Sequence, residues 1–144
     1  MKKAREFADT YGIKKAYGSY EELATDPEVE AVYIATPNSM HFSNAMLCLN
    51  NGKHVLCEKP FTTNAKDAET LYNEADERGM FIMEAFWIHF LPLYEKLLQI
   101  IETKEFGELR HVRCDYGFIA KGARRERKFN SELGGGALLI PYKA

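Results

Sequence analysis

The apolar residues of the chain recur at two different spacings. Ala4, Phe7, Ala8 and Tyr11 fall at helical intervals with Gly12 as a stop, so a helix is predicted at the start. Ser19 with Glu22 has the form of a capping box, predicting a short helix through Leu23 that Asp26-Pro27 ends. Ala16-Tyr17 before it suits a minimal strand. The run Ala31-Val32-Tyr33-Ile34-Ala35 is continuously apolar, the pattern of a parallel strand covered by helices on both faces. Asn38 or Ser39 is expected to cap the next helix, whose Phe42, Ala45, Met46 and Leu49 share a face and which stops at Asn51-Gly52. A second run, His54-Val55-Leu56-Cys57, closes on Glu58-Lys59-Pro60. Asn64 then caps a helix with Ala68, Leu71, Tyr72 and Ala75 inward and Gly79 at its end. Phe81-Ile82-Met83 is a third strand, ending in Glu84.

Strand-then-helix units of about 25 residues in succession predict βαβ crossovers and a parallel sheet, with all strand ends on one rim. That rim carries Thr36, Asn38 and His41 from the first unit, Glu58 and Lys59 from the second, and Glu84 with Trp87 from the third. Ligands of open α/β sheets collect beyond the carboxyl ends of the strands, so a lysine fixed there is positioned for chemistry. From Pro92 the pattern is helical again, with Leu93, Leu97, Ile100 and Ile101 on one face and Gly107 past the end. The period then changes. Val112, Cys114, Tyr116 and Phe118 alternate with polar residues and Gly117, which predicts a half-exposed strand of an antiparallel sheet and the start of a second domain. The expected division is 1–105 and 106–144.

Composition narrows the partners. Nineteen Lys and Arg against twenty-one Asp and Glu give a net charge of -2, so no global field recruits nucleic acid or anionic membrane, and a small-molecule partner is favoured. The basic stretch Lys121, Arg124, Arg125, Arg127 and Lys128 suggests an interaction module, but Glu126 interrupts it and no aromatic residue lies within it. A solvated loop is the better expectation. Cys48, Cys57 and Cys114 are widely spaced, which fits free thiols in a reducing, cytoplasmic setting. Cys57 has no adjacent base, and is read as a buried structural thiol. His54, His89 and His111 show no ligand spacing, so no metal site is expected. No apolar run approaches the roughly 20 residues of a membrane span.

Ala35-Thr36-Pro37-Asn38 with His41, then Cys57-Glu58-Lys59-Pro60, then Met83-Glu84-Ala85-Phe86-Trp87 with Phe90 closely resemble the glucose-fructose oxidoreductase / inositol dehydrogenase / rhizopine catabolism family. Within it, they resemble the dihydrodiol dehydrogenase-like branch. The resemblance implies an α/β fold: a Rossmann domain, here 1–105, binding NAD or NADP, and an α+β domain beginning at 106–144 that supports homo-oligomers. It implies hydride transfer between a nicotinamide cofactor and a hydroxyl-bearing carbon of a sugar, cyclitol or trans-dihydrodiol. A non-catalytic dinucleotide- or ligand-binding protein of the same fold is the alternative. Carried over by position, Thr36, Pro37, Asn38, His41, Glu58 and Lys59 would contact the cofactor, Lys59 would be catalytic, and Trp87 would stand near the substrate. The family's first strand and G-x-G-x-x-G turn are not found in this sequence, so the Rossmann domain is expected to be partial and the chain truncated at both ends. Gly134-Gly135-Gly136 resembles the family's glycine-rich turn, but Tyr142 is out of register with the active-site residue expected after it, and carries no role.

Overall fold

The computed structural model describes residues 2–115, 117, 119 and 128–136. Helix α1, Lys2–Tyr11, ends at Gly12, whose φ of 67° lets the Ile13 N–H turn back to the Ala8 carbonyl at 2.8 Å. Helix α2, Tyr20–Thr25, starts as the capping box predicts: Ser19 Oγ accepts from the Glu22 N–H at 3.1 Å. Glu22 in return reaches the Gly18 N–H at 2.7 Å, one residue earlier than the usual box. Ala16-Tyr17 forms no strand. Side chains hold this loop instead, with the Tyr17 hydroxyl donating to Asp26 at 2.8 Å and Lys15 pairing with Asp26 and Glu28.

Strands β1 (Ala31–Ile34), β2 (His54–Cys57) and β3 (Ile82–Glu84) lie side by side in sequence order, and both pairings are parallel. Tyr33 stands opposite Leu56, Ile34 opposite Cys57, and Cys57 opposite Glu84. Parallel neighbours need crossovers, and helices α3 (His41–Asn50) and α4 (Ala65–Arg78) provide them. Because strand side chains alternate, Ile34, Val55 and Cys57 point to one face, where they pack with Ala45, Cys48, Leu49, Leu71 and Ala75. That is the core. The other face carries Tyr33, 56% exposed, and among the described residues no helix packs across it. The expectation of helices on both faces is therefore met on one.

Helix α4 follows the sequence closely, with Asn64 Oδ1 accepting from the Asp67 N–H at 2.9 Å and Gly79 closing it in the left-handed region. The start of α3 differs. A 3-10 turn, Asn38–Met40, leads into it, and neither Asn38 nor Ser39 caps it. Helix α5, Pro92–Glu102, forms as its apolar spacing predicts, yet it buries no residue, and among the described elements its main contact is with the 3-10 turn Trp87–Phe90. Residues 108–115 form no strand, because alternation provides a face and not the partner strand that a ladder needs. Tyr116, Phe118, Lys121, Arg124, Arg125, Arg127 and Tyr142 lie outside the described residues.

Candidate active site

A cleft of about 320 Å³ opens at the carboxyl rim of β1 and β2, lined by Tyr33, Ala35, Thr36, Asn38, His41, Glu58, Lys59 and Pro60. The sheet itself delivers Glu58. Its N–H still bonds the Ile34 carbonyl at 2.9 Å, one residue past the end of β2, while Cys57 accepts from the Ala85 N–H at 2.7 Å. Pro60 has no N–H to continue a ladder, so the chain leaves the sheet with Lys59 at the rim. The Lys59–Pro60 peptide bond is cis.

The turn is tied to every strand and to α3. His41 Nδ1 lies 2.8 Å from the Pro60 carbonyl and its Nε2 lies 3.0 Å from the Thr36 carbonyl, joining the ends of β1 and β2. Glu84, at the end of β3, accepts from the Phe61 N–H at 2.8 Å. The Cys57 thiol points to the Phe61 carbonyl at 3.8 Å, and burial first, with Glu84 and Glu58 adding to it, pushes this thiol up to about 12. A thiol so buried and so weakly acidic is structural. The Tyr33 hydroxyl donates to Glu58 Oε1 at 2.5 Å, and Glu58 Oε2 accepts from the Lys59 N–H at 3.1 Å. That bond to Glu58, followed by burial, raises the Tyr33 phenol above its ordinary value.

Thr36, Asn38, His41, Glu58 and Lys59 thus converge, as their positions on separate strand ends predict. Their polar atoms do not all face the cleft. His41 is fully buried, and its ring nitrogens both meet backbone carbonyls; a neutral ring donates to one of them at a time, a ring with two protons to both. Asn38 gives its amide to the Gly134 carbonyl at 2.9 Å, which seats the glycine-rich turn on the edge of the cleft. A side chain at Gly134 would meet Asn38 Cβ at 2.8 Å, so only glycine permits this approach. Pro37 precedes the 3-10 turn without lining the cleft, and Trp87 stands outside it, 62% exposed. Tyr33 is the lining residue that the motifs did not single out. Among the described residues no cluster fit to hold a metal ion occurs, and no helix is long and apolar enough to cross a membrane.

A parallel sheet with a polar cleft at its carboxyl rim defines half of a doubly wound nucleotide-binding fold. Residues 1–86 match the model of the oxidoreductase family with an NAD-binding Rossmann fold, and the chain belongs to that family. It is 42% identical over 140 residues to a trans-1,2-dihydrobenzene-1,2-diol dehydrogenase of Xenopus tropicalis, covering 96% of this chain and 42% of that protein. A mouse protein of the same name is 44% identical over 138 residues, covering 96% and 41%. The chain thus spans about two fifths of the length of the curated relatives it matches. Among solved structures, an NAD-binding protein from Listeria innocua superposes with a TM-score of 0.77 at 33% identity, over 94% of this chain and 40% of that one. A 3-ketoreductase from Actinomadura kijaniata, solved in complex with NADP, superposes with a TM-score of 0.68 at 32% identity, over 74% and 34%.

The donor set fits one end of such a cofactor. Lys59 supplies a cation and Glu58 and Thr36 supply oxygens, which suits a ribose and a nicotinamide amide. A diphosphate needs several open backbone N–H groups at a helix start. At the start of α3 two of these are already taken, the Met40 N–H by the Pro37 carbonyl at 2.8 Å and the His41 N–H by that of Asn38.

Proposed function

We propose that the protein is an NAD- or NADP-dependent dehydrogenase acting on a hydroxyl-bearing carbon, with a trans-dihydrodiol as the first substrate class and sugar or cyclitol alcohols as the second. The observation that carries this reading is the placement of Lys59 beside Glu58 at the carboxyl rim of the central strand. Relatives named as dihydrodiol dehydrogenases align over nearly all of this chain, which supports the substrate class. Residues 1–105 would form the cofactor domain and 106–144 the beginning of a substrate and oligomerisation domain, in a cytoplasmic homo-oligomer.

Lys59 and Glu58 would hold the nicotinamide end, with Thr36 beside them. A bound nicotinamide would supply the hydride acceptor, and these residues would present the carbinol carbon to it. The Lys59 ammonium hydrogen-bonds the substrate hydroxyl and stabilises the negative charge that grows on its oxygen as the proton leaves for water. The product is the ketone, with one proton released.

Lys59→Met tests the assignment. Loss of one preorganised donor is expected to lower kcat by about 10²–10³, while cofactor affinity stays within several-fold. Steady-state turnover with dihydrodiol, sugar and cyclitol panels, beside fluorescence titration of reduced cofactor, reads both quantities. Turnover of the variant within about threefold of the parent would remove Lys59 from the chemistry.

A further inference from the structure

We infer that Tyr33 is a positioning residue for this site: its hydroxyl pins Glu58, and Glu58 in turn fixes the backbone of Lys59. The inference rests on the dehydrogenase reading for its catalytic consequence, but not for its geometry.

The register explains why the pair forms. Tyr33 stands opposite Leu56, and Glu58 lies two residues beyond Leu56, so both side chains project from the same face of the sheet. On that face no helix separates them, and the phenol crosses from β1 to β2 to reach Glu58 Oε1 at 2.5 Å. The other carboxylate oxygen is then held toward the Lys59 N–H at 3.1 Å. A carboxylate with a donor on each oxygen has lost its freedom to rotate, and the peptide unit it grips has lost its own. The side-chain ties from His41 and Glu84 act at Pro60 and Phe61, on the far side of Lys59. On the near side the backbone bond from the Glu58 N–H to Ile34 holds the chain, and Tyr33 adds the side-chain tie that sets the Glu58 carboxylate. A phenylalanine would fill the same place in an apolar strand; the hydroxyl is what the site requires.

The test uses Tyr33→Phe, which keeps the ring, together with Glu58→Leu and the double variant. Amide hydrogen exchange reads the positioning without any cofactor: the Lys59 N–H should exchange about tenfold faster in Tyr33→Phe, as one charge-assisted hydrogen bond requires. The Phe61 N–H, held by Glu84, should not change. In turnover, Tyr33→Phe should lower kcat about tenfold with cofactor affinity within about twofold, and should cost nothing further when added to Glu58→Leu. Unchanged exchange at Lys59, equal acceleration at Lys59 and Phe61, or multiplicative losses in the double variant would each overturn the inference. If the parent turns over no nicotinamide-linked alcohol while the exchange at Lys59 responds as expected, the dehydrogenase reading falls, and the catalytic part of the inference with it. An active parent with a normal Tyr33→Phe variant sinks this inference alone.

Discussion

Helices α4 and α5 are both marked in the sequence by apolar residues at helical spacing, yet one is built into the core and the other is not. In α4, Leu71 and Ala75 are fully or almost fully buried against the sheet and α3. In α5 the corresponding face remains open, with Leu93 at 78% and Leu97 at 50% exposure. Amphipathic spacing thus specifies that a helix forms and which side seeks cover, but the cover itself comes from topology. The crossover between two adjacent parallel strands forces α4 onto the sheet; no such constraint acts on α5.

Paired truncations give the largest expected effect. Leu71→Ala should destabilise the fold by about 2–5 kcal/mol, the usual cost of a cavity in a packed core. Leu97→Ala should change stability by less than about 0.5 kcal/mol. Denaturant midpoints for the two variants measure the contrast directly, and a large loss at Leu97 would show that α5 is packed in solution.

A smaller difference is expected at the helix starts. Asn64→Ala removes a bond seen at 2.9 Å and should cost about 1 kcal/mol. Leu91 gives α5 no side-chain cap, so Leu91→Asn should leave global stability within about 0.5 kcal/mol. Thermal and denaturant unfolding of both variants would reveal whether α5 contributes more than its open face suggests.

The smallest effect concerns pH and belongs to the loop between α1 and α2. Hydrogen bonding from Lys15 first, then the Glu28 N–H and the Tyr17 hydroxyl, lowers the Asp26 carboxyl from 3.8 to about 2. A depressed folded-state value stabilises the folded state above pH 3.8, and this contribution is lost as pH falls through about 2. Asp26→Asn should flatten the acid limb of stability against pH over that window and lower neutral stability by the same contribution, which is modest because the partners Lys15 and Glu28 stand in solvent although the Asp26 side chain is only 8% exposed. An unaltered acid limb would show that the pair is open in solution.

Much of the packed half was legible in the sequence because each signal there is local. Continuous apolar runs marked β1, β2 and β3 to within a residue, and Ser19, Gly52, Asn64 and Gly79 marked helix ends. The rim residues could be grouped because parallel strands place their ends together. What escaped depends on register and on distant chain. The Tyr33–Glu58 bond requires knowing that Tyr33 faces Leu56, although a lone hydroxyl in an otherwise aliphatic strand was a readable sign. Asn38 looked like a cap and instead binds Gly134, ninety-six residues away. The alternation at 112–115 looked like a strand, but a ladder needs a second strand beside it.

Cys57 turns the loop that bears Lys59 into its own timekeeper. A thiol-reactive dye needs an accessible thiolate, and in the closed fold Cys57 offers neither access nor ionisation. Labelling can proceed only during excursions that expose it, so its rate counts how often β2 and the Lys59 turn come apart. Cys114, already exposed, reacts at once and marks the start of the clock. Cys48, on the buried face of α3, reports a different excursion, and the interval between the two slow phases separates a fluctuation of the rim from unfolding of the whole core.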